Sequence, residues 1–293
     1  MKLPGFDYAR PDKLDDALAL LSSHRGDAKA LAGGQSLMPM LAFRLAAPRL
    51  LVDLARIPDL NRITIGADGV RLGALVRWVD IERHPTLSAA HPLLVVAISH
   101  VAHYQIRNRG TVGGSLAHAD PAAEMPGIAV ACDADITIAG PDGRHTVAAG
   151  DFFTGLLSTV LQSDELIVDI RLPAWPSGRR WAFEEFSRRA GDFALAGVAL
   201  FYDLDASGCV LDPHIAAIGV SDRPLRLKAA EAAIAGRKIN AEVIAAASAA
   251  APNDIDIADD IHAPADYRGA LLSVLTERAL ARAAGLPVPE QNA

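Results

Sequence analysis

Ala32-Gly33-Gly34-Gln35-Ser36 and Thr111-Val112-Gly113-Gly114-Ser115 repeat one local pattern, a pair of glycines followed by small polar side chains. Glycine has no Cβ, so consecutive glycines let successive backbone N–H groups converge on an anion, and the hydroxyls of Ser36, Thr111 and Ser115 add donors. Two such loops from separate segments suit the two phosphates of a dinucleotide, held by amides rather than by a cationic side chain. A pair of plain tight turns is the other reading, and the pattern alone leaves both open. Neither loop fits G-x-G-x-x-G or G-x-x-x-x-G-K-[ST], which argues against a nicotinamide Rossmann site and a P-loop.

Outward from the first loop, Ala28 to Leu31 reads as a strand, Leu37 to Leu45 as a short helical segment and Leu50 to Val52 as a second buried strand. Before it, Leu14, Ala17, Leu18 and Leu21 fall at helical spacing. Arg62 to Leu72 alternates about Asp68-Gly69 and predicts a β-hairpin. Helices are predicted over Arg77 to Arg83, Pro92 to Val101 and Pro126 to Cys132. Strands are predicted at Asp135 to Ile138 and Glu165 to Leu172. The stretch Ile106 to Pro121, rich in Gly, Asn and Asp, reads as an extended functional loop.

Pro173 to Gly178 marks a domain boundary. Beyond it, Trp181 to Arg188, Ala196 to Asp203 and Val210 to Val220 predict three antiparallel strands joined by turns containing Gly191 and Gly208. Alanine-rich helices follow at Leu225 to Ala235, Ala241 to Ala250 and Asp266 to Ala284. The fold class is therefore α+β, with domains at 1–175 (subdomains about 1–57 and 58–175) and 176–293.

At 293 residues the chain has room for about two domains, and 51% hydrophobic against 22% charged residues excludes disorder. A net charge of −7 gives no basic field for nucleic acid or an anionic membrane. Cys132 and Cys209, the only cysteines, cannot ligate an iron–sulfur cluster or a cysteine-type zinc by themselves, so such a centre would sit on another polypeptide. No stretch reaches the ~18 apolar residues of a membrane span, and Met1 to Arg10 lacks a signal-peptide core, which together predict a cytoplasmic protein. His100, His103 and His118 with Asp120 match no zinc spacing, and Ser115 has no nucleophile-elbow context, so neither a metal nor a hydrolytic triad is assigned.

The sequence Ala-Gly-Gly-Gln-Ser-Leu from Ala32, together with Ile106-Arg107-Asn108-Arg109-Gly110-Thr111-Val112-Gly113-Gly114-Ser115-Leu116-Ala117-His118-Ala119-Asp120-Pro121 and Arg188-Arg189-Ala190-Gly191-Asp192-Phe193, resembles the FAD-binding medium subunit of molybdenum hydroxylases over essentially the whole chain. That family includes the carbon monoxide dehydrogenase flavoprotein and the flavin domain of xanthine dehydrogenase. The resemblance implies a PCMH/VAO-type FAD-binding unit of two α+β subdomains and a C-terminal domain of antiparallel sheet plus helices. It implies that Ala32, Gly33, Gly34, Gln35 and Ser36 surround the pyrophosphate with N–H groups, and that Thr111, Gly113, Gly114 and Ser115 form the second phosphate-side loop. Asp120 and Glu124 fall at positions that meet ribityl or ribose hydroxyls, with Glu124 a departure from the usual Asp, and a cap on the turn before Pro121 is the other role for Asp120. Ile167 falls where a backbone meets the flavin and Phe193 where an aromatic ring covers it. Related sequences carry a lysine near Glu184 or Glu185 that is absent here.

The implied function is an FAD electron-transfer subunit with no catalytic acid or base of its own. Molybdenum cofactor would reside on a large partner and two [2Fe–2S] clusters on a small one, in a heterotrimer doubled to a dimer of heterotrimers. An autonomous flavin reductase or oxidase, and a non-catalytic nucleotide-binding assembly module, are the alternatives.

Overall fold

The computed structural model describes residues 3–257 and 259–288, so the outermost ends of the two expected domains lie outside the described residues. Its first unit comprises β1 (Asp7–Ala9), α1 (Leu14–Ser23), β2 (Ala28–Leu31), α2 (Leu37–Ala42) and β3 (Leu50–Asp53). The strands are parallel in the order β1-β3-β2, with Ala30 opposite Val52. Ala17 and Leu21 of α1 are buried against this sheet, as the helical spacing predicts. Strand β1 went unpredicted because three half-exposed residues carry no periodicity.

The second unit begins with the hairpin β4 (Ile63–Gly66) and β5 (Gly69–Gly73). Gly66 pairs with Gly69, so the loop residues are Ala67 and Asp68, one position earlier than the sequence suggests. Gly69 closes the turn at φ +126°, where a Cβ would strike the Leu172 carbonyl. There follow α3 (Trp78–Glu82), α4 (Leu87–Ala90), α5 (Pro92–His100), α6 (Tyr104–Arg107), α7 (Val112–His118), α8 (Glu124–Ala131), β6 (Asp135–Gly140), β7 (Gly143–Ala148), α9 (Ala149–Phe152), β8 (Phe153–Gly155), β9 (Ser158–Thr159) and β10 (Leu166–Pro173). An antiparallel sheet forms in the order β4-β5-β10-β6-β7. Its central strand β10 is buried on both faces: Ile167, Ile170 and Leu172 join the main core, while Leu166 and Val168 pack on the first unit.

The segment expected to be irregular, Ile106 to Pro121, contains the end of α6 and the whole of α7. Helix α7 forms despite two glycines, each costing about 1 kcal/mol of propensity. Thr111 caps it, its Oγ1 accepting from the Gly114 N–H at 3.2 Å, and Val112 and Leu116 are fully buried. Gly113 is needed for packing, since a Cβ there would stand 2.6 Å from the Ala74 Cβ.

The last third contains β11 (Arg180–Phe186), β12 (Ala196–Leu204), β13 (Val210–Ile218), β14 (Leu225–Arg226), α10 (Lys228–Ile234), α11 (Ala241–Ala250) and α12 (Ala265–Ala284). The sheet has four antiparallel strands rather than three, because Leu225 and Arg226 pair with Ala217 and Ala216 before the expected helix begins at Lys228. One face, with Phe183, Ala199, Phe201, Ala216 and Ile218, covers α5 and α8; the other, with Ala182, Val198, Leu200 and Ile215, is covered by α10 and α12, on which α11 packs. No described helix is long and apolar enough to cross a membrane.

A candidate FAD site between the glycine loops

All thirteen residues singled out in the sequence line one cavity of about 770 Å³ between the first unit, the second unit and the loop before β12. That volume suits a small-molecule ligand of cofactor size. The two glycine loops meet backbone to backbone: a Cβ on Gly33 would fall on the Arg109 carbonyl oxygen and 3.0 Å from the Gly110 Cα. Gly34 turns the chain at φ +73°, so the two glycines have different tasks, close approach for one and a left-handed turn for the other.

Hydrogen bonding separates the loops further. The N–H groups of Gly33, Gly34, Gln35 and Ser36 donate to nothing among the described residues, whereas the Gln35 side-chain amide donates to the Gly33 carbonyl at 3.1 Å. All four residues are half-buried and line the cavity, so these donors are available to an anion. The second loop is already satisfied: Gly113 donates to the Ala74 carbonyl at 2.8 Å, Gly114 to Thr111 Oγ1 and Ser115 to the Thr111 carbonyl at 3.0 Å. The amide cradle therefore belongs to the first loop, and the second contributes a Cβ-free wall and the Ser115 hydroxyl. A Cβ on Gly114 would come 2.7 Å from Thr111 Oγ1 and 3.7 Å from the Ala32 Cβ. Gly114→Val is thus expected to purify folded but with its flavin content, read by absorbance, reduced to background.

The carboxylates line the far wall. Asp120 Oδ1 accepts from the Ala122 N–H at 2.9 Å, so Asp120 caps its turn while also facing the cavity. Glu124, at the first position of α8, is 8% exposed. Burial, and secondarily the charge of Asp120, pushes it up to about 7, so a hydroxyl-rich ligand would meet a group able to donate as well as accept. Ile167 is buried in the core beneath the cavity, and Phe193 stands at the rim, 65% exposed.

Two lining residues, Lys29 and His118, were assigned no part in this site from the sequence. Lys29, on β2, is the one lysine or arginine among the described lining residues, so the site is not purely amide; nothing in Ala28-Lys29-Ala30 distinguishes it from a solvated strand lysine. His118 also lines the cavity, while His103 packs beneath Gly191 and His100 against the Phe183 ring. Glu185 lies outside the cavity lining. It shares a cross-strand row with Gly197 and Ile218, and a Cβ on Gly127 of α8 would strike Ile218. The row thus faces α8, where Glu185 Oε2 is buried without a partner. Burial first and Glu124 second push Glu185 up to about 8. On the opposite face Glu184 pairs with Arg278 and Arg282.

The profile of the FAD binding domain in molybdopterin dehydrogenase matches residues 4–175, and that of the CO dehydrogenase flavoprotein C-terminal domain matches residues 181–283. The chain belongs to this family of molybdenum-enzyme FAD subunits. It is 40% identical to the nicotine 6-hydroxylase medium subunit of Paenarthrobacter nicotinovorans over 97% of this chain and 99% of that one. It is 38% identical to the carbon monoxide dehydrogenase medium chain of Hydrogenophaga pseudoflava over 94% and 96% of the two chains. The solved carbon monoxide dehydrogenase from Hydrogenophaga pseudoflava, a form lacking the Mo-pyranopterin moiety of its molybdenum cofactor, superimposes with a TM-score of 0.94 at 40% identity, covering 97% of this chain and 99% of that one. The molybdenum-enzyme FAD subunit described here is accordingly an oxidoreductase subunit with an FAD-binding domain. Its free amides at Gly33 to Ser36, the Cβ-free wall at Gly113-Gly114 and the carboxyls of Asp120 and Glu124 fit a diphosphate joined to polyhydroxylated chains.

Proposed function

We propose that this chain holds FAD between the two glycine loops and passes electrons from [2Fe–2S] clusters of a small partner subunit through the flavin to an external acceptor. The observation that carries the reading is the set of unpaired N–H groups at Gly33 to Ser36, facing a cavity walled by the second loop. Bound FAD supplies the exchange between one-electron and two-electron transfer. The chain's own residues bind and orient: Gly33 to Ser36 receive the diphosphate, Asp120 and Glu124 the hydroxyls, Ile167 the ring system, and Phe193 screens the rim from water.

The assignment of 1–175 as the FAD-binding unit and 176–293 as the C-terminal domain is part of the same reading. So is assembly with a large molybdenum-cofactor subunit, as a dimer of heterotrimers. Two unpaired cysteines, one buried, support both a partner-borne cluster and a reducing, cytoplasmic setting. The test is native purification with cofactor analysis, followed by anaerobic rapid mixing. Flavin stoichiometric with this chain, reduced only when the iron–sulfur partner is present, is the expected result. Direct bleaching of the isolated subunit by NADH would instead identify an autonomous reductase, and a flavin-free chain an assembly module.

A further inference from the structure

Helix α12 carries Arg268, only 4% exposed, and an arginine is almost never buried unless fully partnered. Its Nη1 donates to the Leu195 carbonyl at 2.7 Å and to the Gly219 carbonyl, and its Nη2 donates to Asp260 Oδ2 at 2.5 Å. Asp260 is itself held, its Oδ1 accepting from the N–H groups of His262 at 2.8 Å and Ala263 at 2.9 Å. Charge-assisted bonds of this kind are stronger and more directional than neutral ones.

Both carbonyls lead to the cavity. Leu195 lies two residues beyond Phe193 at the rim. Gly219 donates its N–H to the Pro121 carbonyl at 2.9 Å, in the turn that runs from Asp120 to Glu124. At φ +75° Gly219 sits so near the rim segment that a Cβ would stand 2.7 Å from the Ala194 carbonyl oxygen. The other end of the same segment rests on a second wall: Gly191, at φ +86°, packs on the His103 ring and the Ala102 carbonyl. Arg107 holds that wall by donating to the Val101 and Ala102 carbonyls, both at 2.9 Å. Phe193, mostly exposed, is little anchored by packing of its own, so its place depends on these two backbone seats.

We propose that Arg268 is a positioning residue of the flavin site, fixing Phe193 at the rim in register with the Asp120 to Glu124 turn through the Leu195 and Gly219 carbonyls. The inference rests on FAD occupying the cavity. It assigns to the last helix of the chain a part in cofactor geometry that its sequence, far from either glycine loop, does not announce.

The test uses the full chain loaded with FAD and compares Arg268→Gln, Asp260→Asn, Phe193→Ala and the Arg268→Gln/Phe193→Ala double variant by FAD dissociation constant and by the visible circular dichroism and fluorescence of the bound flavin. Phe193→Ala is expected to weaken binding about fivefold, the value of one aromatic stacking contact. Arg268→Gln should weaken it at least as much and shift the flavin spectra in the same direction, with no further loss in the double variant. Asp260→Asn, which keeps the arginine and its two carbonyl partners but removes the anion that holds Nη2, should shift the spectra the same way by less, and it decides the matter if Arg268→Gln does not fold. A lowered melting temperature with unaltered flavin spectra, or losses that multiply to about 25-fold in the double variant, overturns the inference. Failure of the unsubstituted chain to bind FAD overturns the functional reading instead.

Discussion

Gly33→Ala is expected to destabilise the chain by about 3 kcal/mol and to leave it without bound flavin. The added Cβ falls on the Arg109 carbonyl oxygen and close to the Gly110 Cα, and both are backbone atoms that no rotamer change can move aside. Either the first loop withdraws, carrying its four free N–H groups out of register, or the α6 to α7 connection shifts and strains the hydrogen bond by which the Trp78 N–H meets the Gly110 carbonyl at 3.3 Å. Gly34→Ala is the informative control. There the nearest atoms are the side chains of Met38 and Leu31, at 3.2 and 3.3 Å, and the cost is mainly that of a left-handed residue, about 1 kcal/mol. Urea denaturation with flavin quantification measures both. Wild-type stability and stoichiometric flavin in Gly33→Ala would show that the loops do not meet as described.

The second large effect is on pH dependence. The Glu185 carboxyl, ordinarily near 4.5, is held up to about 8 by burial and by Glu124. Between those values the unfolded chain gives up the proton and the folded chain keeps it. The contribution of the protonated group is therefore whole at low pH and is lost as pH rises through the folded value. Glu185→Gln keeps the shape and cannot ionise. It should match the wild type near pH 5 and exceed it by about 2 kcal/mol at pH 8, a figure reduced for the water that reaches a half-buried side chain. Glu124 titrates in the same direction and is unaffected in sign, while Glu184, neutralised by Arg278 and Arg282, faces the other way. Denaturation of the flavin-free proteins at the two pH values measures it, and an equal difference at both would mean that Glu185 is solvated.

Residue types at short spacing made much of this legible. The α1 pattern, the β4 to β5 hairpin, β10 and the three long strands of the last sheet follow from period and turn chemistry, because each buries a face set by local geometry. Helix α7 did not, since its glycines count against a helix by propensity and are required only by the contacts with Ala74 and with the first loop. The paired strand at Leu225-Arg226 was hidden for a related reason: two residues have no period, and their state depends on a neighbouring edge at Ala216 and Ala217.

The candidate site divides along the same line. From residue chemistry alone the two glycine loops read as either an anion cradle or plain turns, because glycine permissiveness is a property of a residue and its near neighbours. The resemblance of the longer motifs to a known family is what joins the Asp120 to Glu124 turn and Phe193 to them. Only the tertiary structure decided which loop has amides to spare, that Lys29 and His118 share the wall, that Glu185 lies buried against α8, and that Arg268 reaches the rim. Whether a donor is free or a carboxyl is dry depends on atoms brought in from distant segments, and that information does not exist until the chain has folded.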